Sequence, residues 1–378
     1  MNPVPTIALA GVHGYGHSYL ARLRPRIAAG TFRWAGVADP RLEVGALPEG
    51  LPADVPRYGD LADLLAEQRP DVVAIATPLH THADLAERAL RSGADVVLEK
   101  PAVTGLGEFA HLLDLAQAEG RSVQVGFQSL GSAALDHVRT RVAEGRIGKV
   151  TGFSAAGCWV RARSYFTRAP WAGRRRLGER VVADGVLTNP LAHAVATALA
   201  VAGRQSLEDV LAVEVDPFRV NDIETDDTTS VVVSLRDAPD LVLAATLAAA
   251  EPGEPFVVVE GTHGRMTLYY TLDVVVEELP GRPPETTQHT RVDLLDDLLR
   301  HREDGRPLRS PLASAGAFTR VLDAIVNGPR PRVVRPDAFR VVELPDGDER
   351  RELPGVEEAV HEALRRRSTF SGCGVDWT

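Results

Sequence analysis

Thr6-Ile-Ala-Leu-Ala10 runs directly into Gly11-Val-His-Gly-Tyr-Gly16, and a helical pattern of apolar residues opens at Ser18. A short apolar run, a glycine-spaced turn and a helix make the first half of a βαβ unit. The alternation continues outward from there. Short apolar runs recur at 33–38, 72–76, 95–98 and 122–125, with helical patterns at 18–29, 61–67, 81–92 and 106–119. Strands alternating with helices imply right-handed crossovers and a mostly parallel sheet covered on both faces. Residues 1–127 are therefore expected to form a doubly wound α/β domain.

The turn itself suggests a ligand. In a Rossmann dinucleotide site the first glycine makes the tight turn, the second lets the backbone meet the pyrophosphate, and the third allows close helix–strand packing. Gly11 and Gly16 suit the first and third roles, while His13 takes the middle position and Gly14 and Tyr15 follow it. A tight βα turn without a ligand would look much the same. Asp39 adds weight, because it ends the second strand 23 positions past Gly16. A carboxylate there accepts hydrogen bonds from the adenosine ribose hydroxyls. Arg41, two residues on, could pair with a 2′-phosphate. The expected cofactor is NAD, with NADP as the alternative.

Composition narrows the classes. At 378 residues, 44% hydrophobic and 25% charged, the chain suits two globular domains. No apolar run approaches the ~20 residues of a membrane span, and residues 1–10 lack the basic and apolar regions of a signal peptide. Cys158 and Cys373 make neither a disulfide framework nor a zinc spacing, so no metal site and a reducing cytoplasmic setting are expected. A net charge of −10 argues against nucleic acid as a partner. The chain has only two lysines, Lys100 and Lys149, among many arginines. That bias makes Lys100 informative, because a compact ammonium enters tight pockets that a guanidinium cannot.

Beyond about Gly126 the pattern changes. A helix at 133–144 leads to a strand near Lys149, then to an arginine- and aromatic-rich loop at 159–176 and a helix around 187–200. Apolar runs at 211–218, 228–235, 241–250, 256–260 and 265–270 alternate with turn signals, as in an antiparallel meander. Residues 313–327 and 355–367 read as helices. Residues 128–378 are therefore expected to form an α+β domain with a large open antiparallel sheet.

Residues 71–101 carry an ordered set of motifs. Asp71-Val-Val-Ala-Ile-Ala-Thr-Pro78 is followed by His80-Thr-His82 and then by Val96-Val-Leu-Glu99-Lys100-Pro101. With Gly126-Phe-Gln128, Ile147-Gly-Lys149 and Asn327-Gly-Pro329, this resembles the glucose–fructose oxidoreductase / inositol dehydrogenase / MocA-like (Gfo/Idh/MocA) family over nearly the whole chain. The resemblance implies that Thr77, Pro78, His82, Glu99 and Gln128 belong to the cofactor site. It also implies that Lys100 lies beside the nicotinamide and bonds the reacting oxygen. An ammonium there stabilises developing alkoxide charge.

Asp184-Gly-Val-Leu-Thr-Asn189-Pro-Leu-Ala-His193 matches the family segment that carries the catalytic imidazole. Asn189 stands where Asp is commoner, and Leu191 where Gly is usual. Asn189 and His193, four apart, would share one helix face. Without a carboxylate at 189, His193 is the expected general base. Arg161, Arg163, Tyr165 and Trp171 fall in a loop that the resemblance places over the substrate, with Trp159 offering a further apolar face. Leu130 and Gly131 depart from the Arg-aromatic continuation frequent in the family.

The expected activity is hydride transfer between nicotinamide and a secondary alcohol of a sugar, cyclitol or sugar acid. Two alternatives stay open: a non-catalytic dinucleotide-sensing regulator, and an enzyme that recycles tightly held NAD within an elimination or epimerisation. The apolar pattern of 241–249 suits a flat dry interface, so a homodimer or homotetramer is expected.

Overall fold

The computed structural model describes residues 4–43 and 49–378, which divide into two compact units. The first holds the chain up to Gly126 together with Asp297–Leu312, and the second holds Phe127–Asp296 and Ala313–Thr378.

In the first unit the chain runs through β1 (Thr6–Ala10), α1 (Gly16–Ala28), β2 (Arg33–Ala38), β3 (Arg57–Tyr58) and α2 (Leu61–Gln68). It continues with β4 (Val72–Ile75), α3 (His82–Arg91), β5 (Asp95–Leu98), α4 (Leu106–Glu119) and β6 (Val123–Val125). All six strands are parallel, in the order β3-β2-β1-β4-β5-β6. The strand order reverses between β1 and β4, and such a switch opens a crevice at the strands' carboxyl ends. Every residue of β4 and β5 is buried, as expected of strands covered on both faces.

Asp297–Leu312 was expected within an unbroken second domain and instead packs with the first unit. Gln124 Nε2 donates to Asp297 at 2.7 Å, and the Val125 amide donates to the Ser310 carbonyl at 2.7 Å. Arg302 pairs with Asp95 and reaches Asp71 at 3.3 Å. The segment thus covers the open side of β6, which would otherwise present unpaired amides and carbonyls.

The second unit contains α5 (Ala133–Ala143), β7 (Val150–Cys158), α6 (Arg163–Thr167), β8 (Arg176–Leu177), β9 (Arg180–Val181) and α7 (Ala192–Val201). Then follow β10 (Val210–Arg219), β11 (Thr228–Leu235), β12 (Leu241–Thr246), β13 (Phe256–Gly261), β14 (Gly264–Tyr269), β15 (Val274–Glu278) and β16 (Glu285–Gln288). The helix α8 (Leu294–Asp304) leads into the segment described above. The unit closes with α9 (Gly316–Asn327), β17 (Arg332–Val333), β18 (Arg340–Glu343), β19 (Glu349–Glu352) and α10 (Val356–Arg366).

Nine strands form one sheet, β16-β15-β14-β13-β7-β12-β11-β10-β17. It is mixed rather than wholly antiparallel, because β7 pairs in parallel with β12 and β10 with β17. Successive side chains of a strand face opposite ways. On one side α7 lies against β7 and β13, with Leu191 seated over Gly157. A Cβ at Gly157 would stand 2.6 Å from a Leu191 methyl, so the absent side chain in β7 accommodates the departure at 191.

On the other side α10 and the tail cover the sheet, with Ala156, Phe218, Ala244, Val356, Val360, Phe370 and Trp377 in one buried cluster. The stretch 241–249, expected as a subunit interface, is accordingly buried within this chain. Its apolar pattern serves helix packing on both faces and gives no support to self-association.

Candidate active site

The glycine turn of the first unit is shaped by close approach. Gly11 has φ +84°, and a Cβ there would lie 2.8 Å from the Ala76 carbonyl oxygen and 2.9 Å from the Thr77 methyl. A Cβ on Gly16 would run into the Gly11 carbonyl, so β1 and α1 need glycine at both positions. Gly14 has φ +59° with open space on its Cβ side. Tyr15 is exposed and meets Tyr19 edge-on, at 6.3 Å between ring centroids.

Asp39 ends β2 as expected, and its carboxylate is heavily engaged. It accepts from the Val12 amide at 3.1 Å, from the Arg41 amide at 3.0 Å, and from Arg41 Nε and Nη2 at 3.1 Å each. His13 Nδ1 stands 3.0 Å from Oδ2. Burial works to raise its pKa, but the bonds from Arg41, His13 and Val12 outweigh it and hold the carboxyl well below the usual range. His13, at the middle position of the turn, therefore points to the Asp39 carboxylate.

The Thr-Pro turn and the Glu-Lys-Pro triplet are braced from behind. Thr77 Oγ1 lies 2.6 Å from Thr81 Oγ1, which donates to the Pro78 carbonyl at 2.7 Å. His82, expected at the cofactor, faces two backbone carbonyls. Its ring is buried, with Nδ1 2.8 Å from the Pro101 carbonyl oxygen and Nε2 2.8 Å from that of Thr77. It ties the two loops together and has no nitrogen left for a ligand.

Glu99 is buried as well. Tyr19 donates to its Oε1 at 2.8 Å, and the Lys100 amide donates to Oε2 at 3.1 Å. Burial pushes its pKa up, against the pull of Lys100. A Cβ on Gly126 would stand 2.8 Å from Oε1, so that glycine leaves room for the brace. Glu99 thus positions the backbone of Lys100 from within the core.

In the second unit, His193 is the one residue of α7 that is not fully buried. Its Nδ1 lies 3.4 Å from Ser129 Oγ, which accepts from Thr197 Oγ1 at 2.8 Å. Phe127 meets the imidazole edge-on at 5.9 Å. Gln128 Nε2 is buried with no hydrogen-bond partner among the described residues, a costly state that a ligand acceptor would relieve.

Asn189 was expected on one helix face with His193, but it lies in the turn before α7. Pro190 lacks an amide proton and disfavours helical backbone in the residue before it, so the helix begins at Ala192. Asn189 Nδ2 donates to Asp184 Oδ1 at 2.6 Å. Arg168 Nη2 donates to both Asp184 oxygens at 3.1 and 3.2 Å, and the Gly173 amide to Oδ2 at 2.8 Å. Burial nonetheless raises the Asp184 pKa.

Two guanidiniums and three aromatic rings interleave beside this network. Arg161 lies over Trp159 at 4.8 Å and over Tyr165 at 5.0 Å; Arg168 lies over Tyr165 at 3.8 Å and over Trp171 at 4.6 Å. Arg163, also expected at the substrate, is exposed and pairs with Glu349 at 3.5 Å. Sequence reasoning did not single out Arg168 or Asp184. The signal for Arg168 was the alternation of arginine and aromatic residues from Trp159 to Trp171; Asp184 carried none.

The first unit fits a dinucleotide: a strand–turn–helix with glycines where the backbone is tight, a strand-end carboxylate, and a helix N-terminus that favours phosphate. Among the described residues no group of three or more His, Cys, Asp or Glu could hold a metal, and no helix is long and apolar enough to cross a membrane.

Such a fold and turn define the dinucleotide-binding Rossmann class, and comparison with known proteins agrees. Residues 7–127 match the oxidoreductase family with an NAD-binding Rossmann fold, and residues 135–267 match the Gfo/Idh/MocA C-terminal domain. The chain belongs to the Gfo/Idh/MocA family. It is 33% identical over 151 residues to dTDP-3,4-didehydro-2,6-dideoxy-alpha-D-glucose 3-reductase of Streptomyces violaceoruber, which covers 39% of this chain and 43% of that one. It is 30% identical over 148 residues to inositol 2-dehydrogenase of Rhodococcus jostii (strain RHA1), 38% of this chain and 39% of that one. The chain thus matches less than half the length of these two relatives. The WlbA dehydrogenase of Bordetella pertussis, solved with NADH and UDP-GlcNAcA, shares the fold with a TM-score of 0.69 at 18% identity, over 85% of this chain and 95% of that one.

Proposed function

We propose that the chain is an NAD(P)-dependent oxidoreductase acting on a secondary alcohol of a sugar, cyclitol or sugar acid. The observation that carries the reading is the buried Glu99–Tyr19 brace beneath Lys100, in a chain with only one other lysine. A bound nicotinamide supplies the two-electron acceptor, a chemistry that no side chain offers. Lys100 donates to the substrate oxygen and stabilises negative charge as the hydroxyl proton leaves. His193 accepts that proton, oriented through Nδ1 by Ser129 and Thr197. Asn189, fixed by Asp184, and the ring faces of Tyr165 and Trp171 hold the sugar. Asp39 and the Gly11–Gly16 turn bind the dinucleotide, with Thr77, Pro78 and Gln128 beside it.

Lys100→Ala is expected to lower turnover roughly 10²–10³-fold, the cost of losing one donor to a developing oxyanion, while the dinucleotide Kd stays within a few-fold. Undiminished oxidation of the best substrate would sink this mechanism.

A dinucleotide-sensing regulator is the second reading, kept open by His13 in the glycine turn and by Asn189 where a carboxylate is commoner. A screen of sugars and cyclitols with both cofactors separates the two. Reproducible change in nicotinamide absorbance with any of them excludes the regulator.

A further inference from the structure

We propose that Arg161 is an anion receptor and that the substrate is an acidic or phosphorylated sugar. This rests on the oxidoreductase reading above and deepens it. Residues 159–176 hold six arginines and no acidic residue, in a chain whose net charge is −10. The structure shows where five of those guanidiniums go; Arg175 Nη2 donates to the Ile325 and Pro329 carbonyls at 2.8 Å each, and Arg176 Nη1 to the Glu179 carbonyl at 3.1 Å. Arg163 is exposed and pairs with Glu349, and Arg168 makes a two-point bond with Asp184. Arg161 has no carboxylate partner among the described residues.

What holds Arg161 is not charge. Its Nη1 donates to the Val160 carbonyl at 2.9 Å, it bonds the Tyr165 phenol, and its Cζ lies over the Trp159 ring at 4.8 Å and the Tyr165 ring at 5.0 Å from the centroids. Stacking of this kind fixes a guanidinium plane without neutralising it. The group is only half-buried, so its remaining N–H donors can be reached. Arginine offers five such donors in a fork that matches carboxylate and phosphate oxygens. The same stack continues through Arg168 to Asp184 and Asn189, in the turn that leads into α7 and His193. An anionic substituent on Arg161 would therefore anchor a sugar along the element that carries the proposed base.

The test is tryptophan-fluorescence titration of the full chain with NADH bound. Three probes share a hexose and differ in charge: glucose is neutral, glucuronate carries a carboxylate, and glucose 6-phosphate a phosphate. One or both charged probes should bind more tightly than glucose, which identifies the anion. Arg161→Gln should weaken that probe at least tenfold and leave glucose unchanged. Arg161→Lys should recover part of the loss, whereas Arg176→Gln, an equal charge removed from an exposed residue, should bind the charged probe as tightly as the unaltered chain. The proposal is overturned if Arg161→Gln binds the charged probe as tightly as the unaltered chain, or if neither charged probe outbinds glucose. Charged-probe binding that depends on Arg161, with no hydride transfer to any substrate, would keep the anion receptor and remove the oxidoreductase reading.

Discussion

Asp39 and Asp184 are buried carboxylates, one in each unit, and each is gripped by a nearby guanidinium. Their pKa values nonetheless move in opposite directions. Burial works to raise both. At Asp39, the last residue before a turn, Arg41, His13 and backbone amides together overcome it. At Asp184, enclosed behind the aromatic stack, Arg168, Asn189 and the Gly173 amide do not. A carboxylate met by a guanidinium, an imidazole and two backbone amides stays charged despite burial and can serve recognition. One held inside depends on its single guanidinium and serves as an anchor.

The largest expected effect follows from that dependence. Arg168→Ala leaves the buried Asp184 carboxylate without its counter-ion, and breaking a buried pair from one side costs about 3–5 kcal/mol. A loss near the low end is expected, since Asn189 and the Gly173 amide stay in place; urea denaturation measures it. A change under about 1 kcal/mol, the range of an exposed pair, would show that Asp184 does not depend on Arg168.

A smaller effect is expected at the other carboxylate. A 2′-phosphate would meet the Arg41 guanidinium before the Asp39 charge. Arg41→Ala should therefore shift the ratio of NADP to NAD affinity toward NAD by about tenfold, or 1.4 kcal/mol. Isothermal titration with both cofactors reads the ratio. An unchanged ratio would mean that Arg41 only holds Asp39.

The smallest effect is the pH dependence, and its sign separates the two sites. Asp39, lowered in the fold, contributes stability that is full above its ordinary pKa of 3.8 and is lost as the pH falls below it. Asp184, raised in the fold, contributes most below 3.8 and loses that contribution as the pH rises through its folded value. Asp39→Asn should flatten the acid side of the stability profile, and Asp184→Asn should remove a decline on raising the pH from about 4. Shifts of equal sign in the two variants would contradict the comparison.

The same contrast governs what could be read from residue order. The glycine turn, the Asp39 carboxylate and the Thr-Pro and Glu-Lys-Pro motifs lie within short βα repeats, where local periodicity and turn chemistry decide position. His82 sits inside the same motifs, yet its surroundings were not legible there. Its role depends on two carbonyls, Thr77 five residues away and Pro101 nineteen residues away. On the substrate side, Arg163 and Arg161 look alike in the chain. Only the arrival of Glu349, 186 residues downstream, tells them apart.

Residue order alone determined a doubly wound dinucleotide domain, a sheet-based second domain and a family, because strand and helix periods and close-packed glycines are local properties. Tertiary structure decided the rest. It folded Asp297–Leu312 back onto the β6 edge, laid α10 over the sheet that was expected to meet a partner, and gave Arg168 a carboxylate but Arg161 none among the described residues. Each of these outcomes depends on which distant groups come within about 3–5 Å, the range over which hydrogen bonds and apolar contacts act, and sequence spacing does not encode that distance.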